Sequence, residues 1–242
     1  MNARRQIAEV VEQLRTAMVS LDPVRQPSSI FNPANPRTVG LFVSIALLAQ
    51  EREPLGDVKP YYGSGVYAIY FKGDYPAYKP LVRTEHPIYV GKADPAVADA
   101  KTAEEQQERL ARRLRDHAKA IRRADNLNID HFTCRQLVVA SGLQTSAENY
   151  LIDLFKPIWN KEMKIAYGIG KHGDAPTTRA NQRSPWDTLH QGRKWAHSDA
   201  KMKDQASESE IVAKIQDHFR AHPPFKNIDA VLHRFYEDLK QR

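Results

Sequence analysis

The sequence predicts a mixed α/β fold in which a small sheet is flanked by helices. The prediction depends on the order β-β-α-β-α in the middle of the chain, on amphipathic helical patterns at both ends, and on an ordinary globular composition. Hydrophobic residues make up 41% and charged residues 27% of the 242 positions. This length accommodates one large domain or two small ones.

The N-terminal part, residues 1–59, is predicted to be a helical extension. Between Arg5 and Ser20 apolar residues recur at helical spacing, which indicates an amphipathic helix; they are Ile7, Val10, Val11, Leu14 and Met18. A proline-rich stretch follows over 21–36, and the nearly apolar run 38–50 predicts a buried helix. The two helices could form a subunit interface, or they could pack in the core of the subunit; the sequence leaves both alternatives.

The central part, residues 60–162, carries the predicted core. Its β-rich segments 65–71, 87–91 and 132–139 predict three strands. Helical patterns lie between and after the strands, over 104–124 and from Thr145 to Phe155, where Pro157 ends the second one.

The C-terminal part, residues 163–242, is predicted to be irregular over 165–206 and helical over 208–222 and 228–241. Its irregular stretch is rich in Gly, Pro, Thr, Ser and Trp.

Several protein classes are excluded by composition. No apolar run approaches the ~18–20 residues needed to cross a bilayer. The single cysteine, Cys134, excludes a disulfide scaffold and a cysteine-based zinc site. The first nine residues become acidic before a signal-peptide core develops, so we expect a cytoplasmic protein.

The surplus of basic residues raises the prospect of a polyanionic partner. The formal net charge is +7, from 36 Lys and Arg against 29 Asp and Glu. Between Arg109 and Arg123 seven basic residues stand against one acidic residue, and the stretch 161–203 holds nine basic and four acidic residues. A single basic run is also typical of a solvated helix face, whereas two runs indicate a surface that neutralises phosphates.

The helical wheel of the segment 104–124 divides its charges into two groups. At about 100° per residue, Arg113 and His117 fall on or beside the apolar stripe and face the sheet. The outward face is basic and contains Arg112, Arg115, Lys119 and Arg122. A sheet-facing histidine is ordinarily a core residue, but an inward arginine beside it requires an anionic partner.

Glu148 is the candidate partner of Arg113, or a metal ligand. The alternative is structural, because Thr145-x-x-Glu148 matches a capping box that closes a helix N-terminus. Tyr67 and Tyr89 lie on the two glycine-bounded strands, where tyrosines are ordinarily packing residues.

Five elements within residues 60–162 together resemble the GIY-YIG nuclease pattern in order and spacing. They are Gly65-Val66-Tyr67, Tyr89-Val90-Gly91-Lys92, Arg113-x-x-x-His117, Glu148 and Asn160. Both tripeptides carry Val where the name has Ile. Four further stretches look like the type II restriction endonucleases of this superfamily: Ala147–Ile152, Lys156–Asn160, Gly168–His172 and Arg183–Ala196. Gln191 departs from the proline expected there.

The resemblance implies an α+β fold with a three-stranded, mostly antiparallel sheet, and a nuclease that uses one Mg²⁺ per active site. It implies that Glu148 binds the metal and that Tyr67 is the general base. Tyr89 and His117 would tune the proton of Tyr67, Arg113 would hold the scissile phosphate, and Asn160 would support the site. A tyrosine base requires a pKa below the usual value of about 10, and we expect Arg113 and the metal to lower it.

The resemblance also implies double-stranded DNA as the substrate and a GC-rich palindrome, CCGCGG, as its recognition sequence. Palindromic cutting by a subunit with one site predicts a homodimer, and a cognate DNA methyltransferase is expected in the same cell. The candidate DNA-binding residues are Lys92, Arg112, Arg179, Arg183 and Arg193. Alternative functions are a repair or mobile-element nuclease of the same superfamily and a non-catalytic DNA-binding protein.

Overall fold

The computed structural model describes residues 3–21, 24, 30–170, 182–197 and 202–240. Its helices are α1 (Ala3–Leu21), α2 (Pro36–Leu48), α3 (Ala103–Gln106), α4 (Arg109–Arg122), α5 (Gln144–Phe155), α6 (Pro185–Leu189), α7 (Lys194–His197), α8 (Glu208–Ala221) and α9 (Ile228–Lys240). Its strands are β1 (Glu53–Pro54), β2 (Gly65–Phe71), β3 (Tyr89–Ala93), β4 (Phe132–Val138), β5 (Gln182–Arg183) and β6 (Lys203–Asp204).

The main sheet has four strands in the order β1-β4-β2-β3, and each neighbouring pair is antiparallel. The mixed α/β fold class and the antiparallel sheet are therefore confirmed, and the three predicted strands are present. The fourth strand, β1, extends the predicted sheet at its edge. It has only two residues, which is too short for an alternating pattern to reveal.

Both faces of the sheet are covered, because every residue of the central strand β2 is buried. Tyr67, Ile69 and Phe71 point into a core that α4 completes with Leu110 and Leu114. The alternate residues of β2 point into a second core, formed with α2 and α5. The strand alternation therefore places Tyr67 on the α4 face.

The predicted helix 104–124 is interrupted in the structure. A Thr102–Glu105 capping box begins α3, and Gln107 with φ 59° separates α3 from α4. Positive φ is uncommon for a residue with a side chain and ends the helix there. The wheel of α4 is unaffected, because its four predicted outward residues are all exposed.

The two N-terminal helices differ in their packing. Leu41, Leu47 and Leu48 of α2 belong to the second core, so core packing accounts for this helix. None of the residues of α1 is buried, and its apolar stripe faces outward.

The C-terminal part packs onto the same two cores. Ile211 and Ile215 of α8 lie in the core with α4, while Val231 and Phe235 of α9 lie in the second core. The stretch predicted to be irregular contains the short elements β5, α6, α7 and β6. Among the helices of the described ranges, none is long and apolar enough to cross a membrane.

Candidate active site

The antiparallel pairing of β2 with β3 brings two tyrosines together. Tyr67 pairs with Gly91, and Tyr89 pairs with Ile69, so both tyrosines lie on one face of the sheet. Their ring centroids are 6.0 Å apart. A Cβ at Gly91 would lie 2.5 Å from the Tyr67 hydroxyl oxygen, so the Tyr67 ring needs a glycine opposite it.

His117 on α4 completes a buried aromatic cluster with these tyrosines. Its Nε2 lies 2.7 Å from the Tyr67 hydroxyl oxygen, and its ring centroid is 5.0 Å from that of Tyr89. The inward orientation of His117 predicted by the helical wheel is thus confirmed.

Arg113 connects this cluster to a cavity. It lies one turn before His117, and its guanidinium interacts electrostatically with the hydroxyls of Tyr67 and Tyr89. It also lines a cavity of about 500 Å³. The complete lining of that cavity is Lys92, Ala93, Asp94, Arg109, Arg112, Arg113, Asp116 and Glu148. One guanidinium therefore contacts both the buried hydroxyls and the open space.

The carboxyl group of Glu148 belongs to the cavity wall and does not cap a helix. The capping-box interpretation is wrong, because α5 begins at Gln144 and not after Thr145. Glu148 therefore lies beyond the first turn, and desolvation by burial raises the pKa of its carboxyl group. Lys92 opposes that shift, while Glu162 and Asp94 add to it.

Burial also decides the pKa of Tyr67. Desolvation of this fully buried side chain, reinforced by Tyr89, raises the pKa of its hydroxyl well above the ordinary value of 10.0, and Arg113 opposes the rise. Arg113 therefore acts in the expected direction, but burial outweighs it, and the pKa of Tyr67 stays above its ordinary value. Burial likewise raises the pKa of Tyr89.

Asn160 fixes the strand that carries Tyr89. The Val90 N–H donates to the Asn160 side-chain oxygen at 3.0 Å, and the Asn160 amide donates to the Val90 carbonyl at 2.9 Å. Both bonds fall on the residue between Tyr89 and Gly91.

The candidate DNA-binding residues lie in different environments. Lys92 and Arg112 line the cavity, where the ammonium of Lys92 is 2.6 Å from Asp94. Arg183 donates to Asp204 at 2.6 Å. Arg179 lies outside the described residues.

Arg193 does not occupy a DNA-accessible position. It is 2% exposed, and its Nε donates to a carboxylate oxygen of Asp187 at 2.7 Å. This burial argues against a contact between Arg193 and a base. The reason is tertiary, because the partner acid and the covering residues become neighbours only in the fold.

Three charged residues of the cavity wall were missed by sequence reasoning: Asp94, Arg109 and Asp116. Asp94 follows Lys92 by two residues. Side chains two apart on a strand point to the same face, and this alternation was the signal that could have placed Asp94 beside Lys92. Arg109 donates through Nε to the Asp94 carbonyl at 3.0 Å, a contact without a signal in the sequence.

Tyr67, Tyr89 and His117 therefore form one aromatic cluster on the antiparallel sheet, and Arg113 beside it lines the same cavity as Glu148. The family model of the Eco29kI GIY-YIG domain matches residues 59–219, which is more than half of the chain. The protein belongs to this restriction endonuclease family, and is a DNA endonuclease. No curated protein matches the chain.

Proposed function

We propose that the protein is a type II restriction endonuclease that hydrolyses phosphodiester bonds of double-stranded DNA at one palindrome, in a Mg²⁺-dependent reaction. The observation that carries the proposal is Arg113, which contacts the buried tyrosine hydroxyls and the cavity that Glu148 lines. A site for binding alone has no use for a half-buried carboxylate beside a proton-transfer cluster.

The residues of the cavity fit a magnesium ion. In the part of the chain that the structure describes, no group of three or more His, Cys, Asp or Glu residues gathers. Mg²⁺ does not need one, because it commonly takes one or two carboxylates and completes its shell with phosphate oxygens and water. Glu148 would hold the ion, and a bound Mg²⁺ stabilises negative charge on the leaving 3′-oxygen.

Arg113 would hold the scissile phosphate. A guanidinium binds two phosphate oxygens at once and so fixes the phosphorus relative to the attacking water. This guanidinium interacts with the tyrosine hydroxyls, and Arg113 also lines the cavity.

Tyr67 would act as a proton relay together with His117. Because burial keeps the Tyr67 hydroxyl protonated, a standing tyrosinate is not the base. As water attacks phosphorus, its proton passes to the Tyr67 oxygen and the Tyr67 proton passes to His117 Nε2, 2.7 Å away. The bond from phosphorus to the 3′-oxygen breaks, and solvent protonates that oxygen.

A homodimer is the proposed assembly, because two strands of a palindrome require two sites related by a two-fold axis. The exposed stripe of α1 supports this assembly. Ile7, Val11, Leu14, Met18 and Leu21 alternate in steps of four and three, the spacing of a coiled-coil seam, and each is at least 42% exposed.

Recognition of a CCGCGG-like sequence, a cognate methyltransferase and a cytoplasmic location complete the proposal. Lys92 and Arg112 are the proposed phosphate contacts at the cavity, and Arg183 is the remaining described candidate for base contacts. Arg183 is paired with Asp204, so a base contact requires DNA to replace that acid.

Cleavage of a supercoiled plasmid tests the proposal. We expect the wild-type protein with Mg²⁺ to yield discrete linear fragments, and Tyr67→Phe to bind the same DNA but cut it at least ~100-fold more slowly. Smeared or structure-dependent nicking would favour the repair-type nuclease, and binding without any cutting would favour the DNA-binding protein. Full turnover by Tyr67→Phe would refute the relay.

A further inference from the structure

Arg193 is a buried arginine outside the candidate active site, and it hydrogen-bonds the backbone of residues 168 and 169. Its two terminal nitrogens donate to the carbonyl of Ile169 at 3.0 Å and to that of Gly168 at 3.1 Å. Its Nε donates to Asp187 at 2.7 Å. One side chain therefore ties residues 168 and 169 to a buried carboxylate.

Asp187 is itself fixed. It is fully buried, and its second oxygen accepts from the Ser184 hydroxyl at 2.6 Å. The Arg193 guanidinium also lies 4.4 Å from the centre of the Trp186 ring. A buried pair with this many partners has few alternative arrangements, which makes it suited to fixing a conformation.

Gly170, the residue after this bonded backbone, lies at the candidate active site. A Cβ on Gly170 would lie 3.0 Å from a terminal nitrogen of Arg113 and 3.8 Å from His117 Cε1. Gly168, with φ 122°, has a backbone conformation that favours glycine, and a Cβ there would lie 2.2 Å from the Ser184 hydroxyl oxygen. Gly170 thus lies close against the guanidinium of Arg113, and Gly168 lies against Ser184.

We propose that Arg193 is a positioning residue of the nuclease centre, which fixes residues 168–170 so that Gly170 packs against Arg113 and sets the direction of its guanidinium. The inference rests on the proposed function, since it assigns Arg113 to the scissile phosphate. It replaces the predicted DNA contact of Arg193 with a role inside the protein.

The proposal predicts an effect on the rate of cleavage and not on DNA affinity. Affinity depends chiefly on the number of phosphates that surface cations neutralise, and Arg193 is not at the surface. Misplacing a group at the reacting phosphate by about 1 Å costs up to ~100-fold in rate.

Gly170→Ala tests the contact without disturbing Arg193. Neither Gly170 nor Gly56 has a positive φ, so alanine fits both backbones. Gly56→Ala is the matched control, because its Cβ would lie 3.1 Å from a terminal nitrogen of Arg122, on the same helix but away from the cavity. We expect Gly170→Ala to lower the single-turnover rate at saturating protein ~10- to 100-fold, with unchanged Kd for DNA and unchanged Tm, and Gly56→Ala to cut like wild type.

Arg193→Lys tests the clamp itself, since lysine keeps the charge opposite Asp187 but lacks the planar fork that reaches two carbonyls. We expect a lower Tm and, well below that Tm, a reduced single-turnover rate with an unchanged Kd. The double variant Gly170→Ala/Arg193→Lys should be no slower than the slower single variant, because both act through Arg113.

The outcomes separate this inference from the proposed function. If the wild-type protein cuts and Gly170→Ala cuts equally fast, the inference is wrong and the nuclease assignment stands. The inference would also be overturned if the rate loss of Arg193→Lys only matched its unfolded fraction. A double variant whose rate loss is the product of the two single losses would overturn it as well. If wild-type protein cuts no DNA under any condition, both fail.

Discussion

At the residue scale, burial sets the protonation of the groups that face the candidate active site. The Tyr67 hydroxyl is fully buried, and this burial raises its pKa although the charge of Arg113 acts to lower it. Glu148 is also partly desolvated, so its carboxyl group holds a proton to higher pH than an exposed glutamate. The proposed mechanism therefore gives each group a partner, His117 for Tyr67 and a cation for Glu148.

Replacing Glu148 by Gln separates a metal ligand from a structural residue. A raised pKa in the folded protein means that the ionised carboxylate destabilises the fold at neutral pH, so we expect Glu148→Gln to keep or raise Tm. Nearly all Mg²⁺-dependent cleavage should be lost, because the amide is a poor cation ligand. Thermal unfolding and plasmid cleavage measure the two effects.

Glu210→Gln is the control for that variant. Glu210 closes the capping box of α8, far along the chain from the cavity residues, and we expect its replacement to leave cleavage unchanged. A Glu148→Gln protein that cuts at the wild-type rate would remove Glu148 from the metal site.

The pH dependence of magnesium binding follows from the same shift. Protons and Mg²⁺ compete for the Glu148 carboxylate, whose pKa is raised from 4.5 by burial. We expect Mg²⁺ affinity to fall as the pH is lowered, and to begin to fall at a higher pH than for a carboxylate with the ordinary glutamate pKa. Isothermal titration at several pH values, with Glu148→Gln as the blank, checks the direction. Affinity that is independent of pH down to the ordinary glutamate range would contradict it.

At the scale of single elements, the amphipathic helices α4 and α1 differ in where their apolar sides lie. The inward side of α4 carries His117 and Arg113 to the sheet, while its outward side presents the basic surface. The apolar stripe of α1 faces outward instead, since none of its residues is buried.

Leu14→Asp tests the proposed role of α1. Leu14 is in the middle of the stripe and 60% exposed, so the change should not unfold the subunit but should prevent two seams from meeting. We expect sedimentation to report a monomer, and plasmid cleavage to give nicked circles in place of linear DNA. Thr16→Asp, on the face of α1 opposite the apolar stripe, should remain dimeric. A Leu14→Asp protein with unchanged mass would exclude α1 from the interface.

Arg112→Gln tests the outward face of α4. Arg112 lines the cavity and is exposed, so its loss should weaken binding to all DNA sequences alike. The slope of log Kd against log salt should fall by about 1, as measured by fluorescence anisotropy. Lys226→Gln, an exposed change in the loop before α9, serves as the control. An unchanged slope would place Arg112 away from the DNA backbone.

At the scale of the whole molecule, the net charge of +7 divides between surface and interior. The outward residues of α4 belong to the surface, whereas Arg113 turns into the protein and Arg193 is buried against Asp187. The proposed attraction to DNA belongs to the first group, and the proposed chemistry and its support belong to the second. The predicted division of the chain at residue 162 stays a prediction, although α8 shares the core of α4.

Local periodicity was enough to predict much of this arrangement. The wheel of α4 depends only on residue spacing, so the inward orientation of His117 and the exposed basic face followed from the sequence. The strands followed from β-rich segments bounded by glycine. The motif order then predicted which of these residues meet.

The sequence predictions that were wrong share a physical cause: each depends on the position of a helix start or on contacts between residues that are distant in the sequence. The capping box at Thr145 failed because α5 starts at Gln144, two residues before the position that a cap at Thr145 requires. The burial of Arg193 depends on Asp187 and on the carbonyls of residues 168 and 169. The raised pKa of Tyr67 depends on the packing around it, which a list of neighbouring charges does not reveal.

Digestion of a large plasmid with purified wild-type protein in Mg²⁺, followed by sequencing of every cut end, tests the central claim most directly. We expect discrete fragments whose ends all fall within one GC-rich palindrome, with no cutting when EDTA removes the metal. Fragment ends without a common sequence, or intact plasmid in Mg²⁺, would contradict the assignment of a site-specific endonuclease.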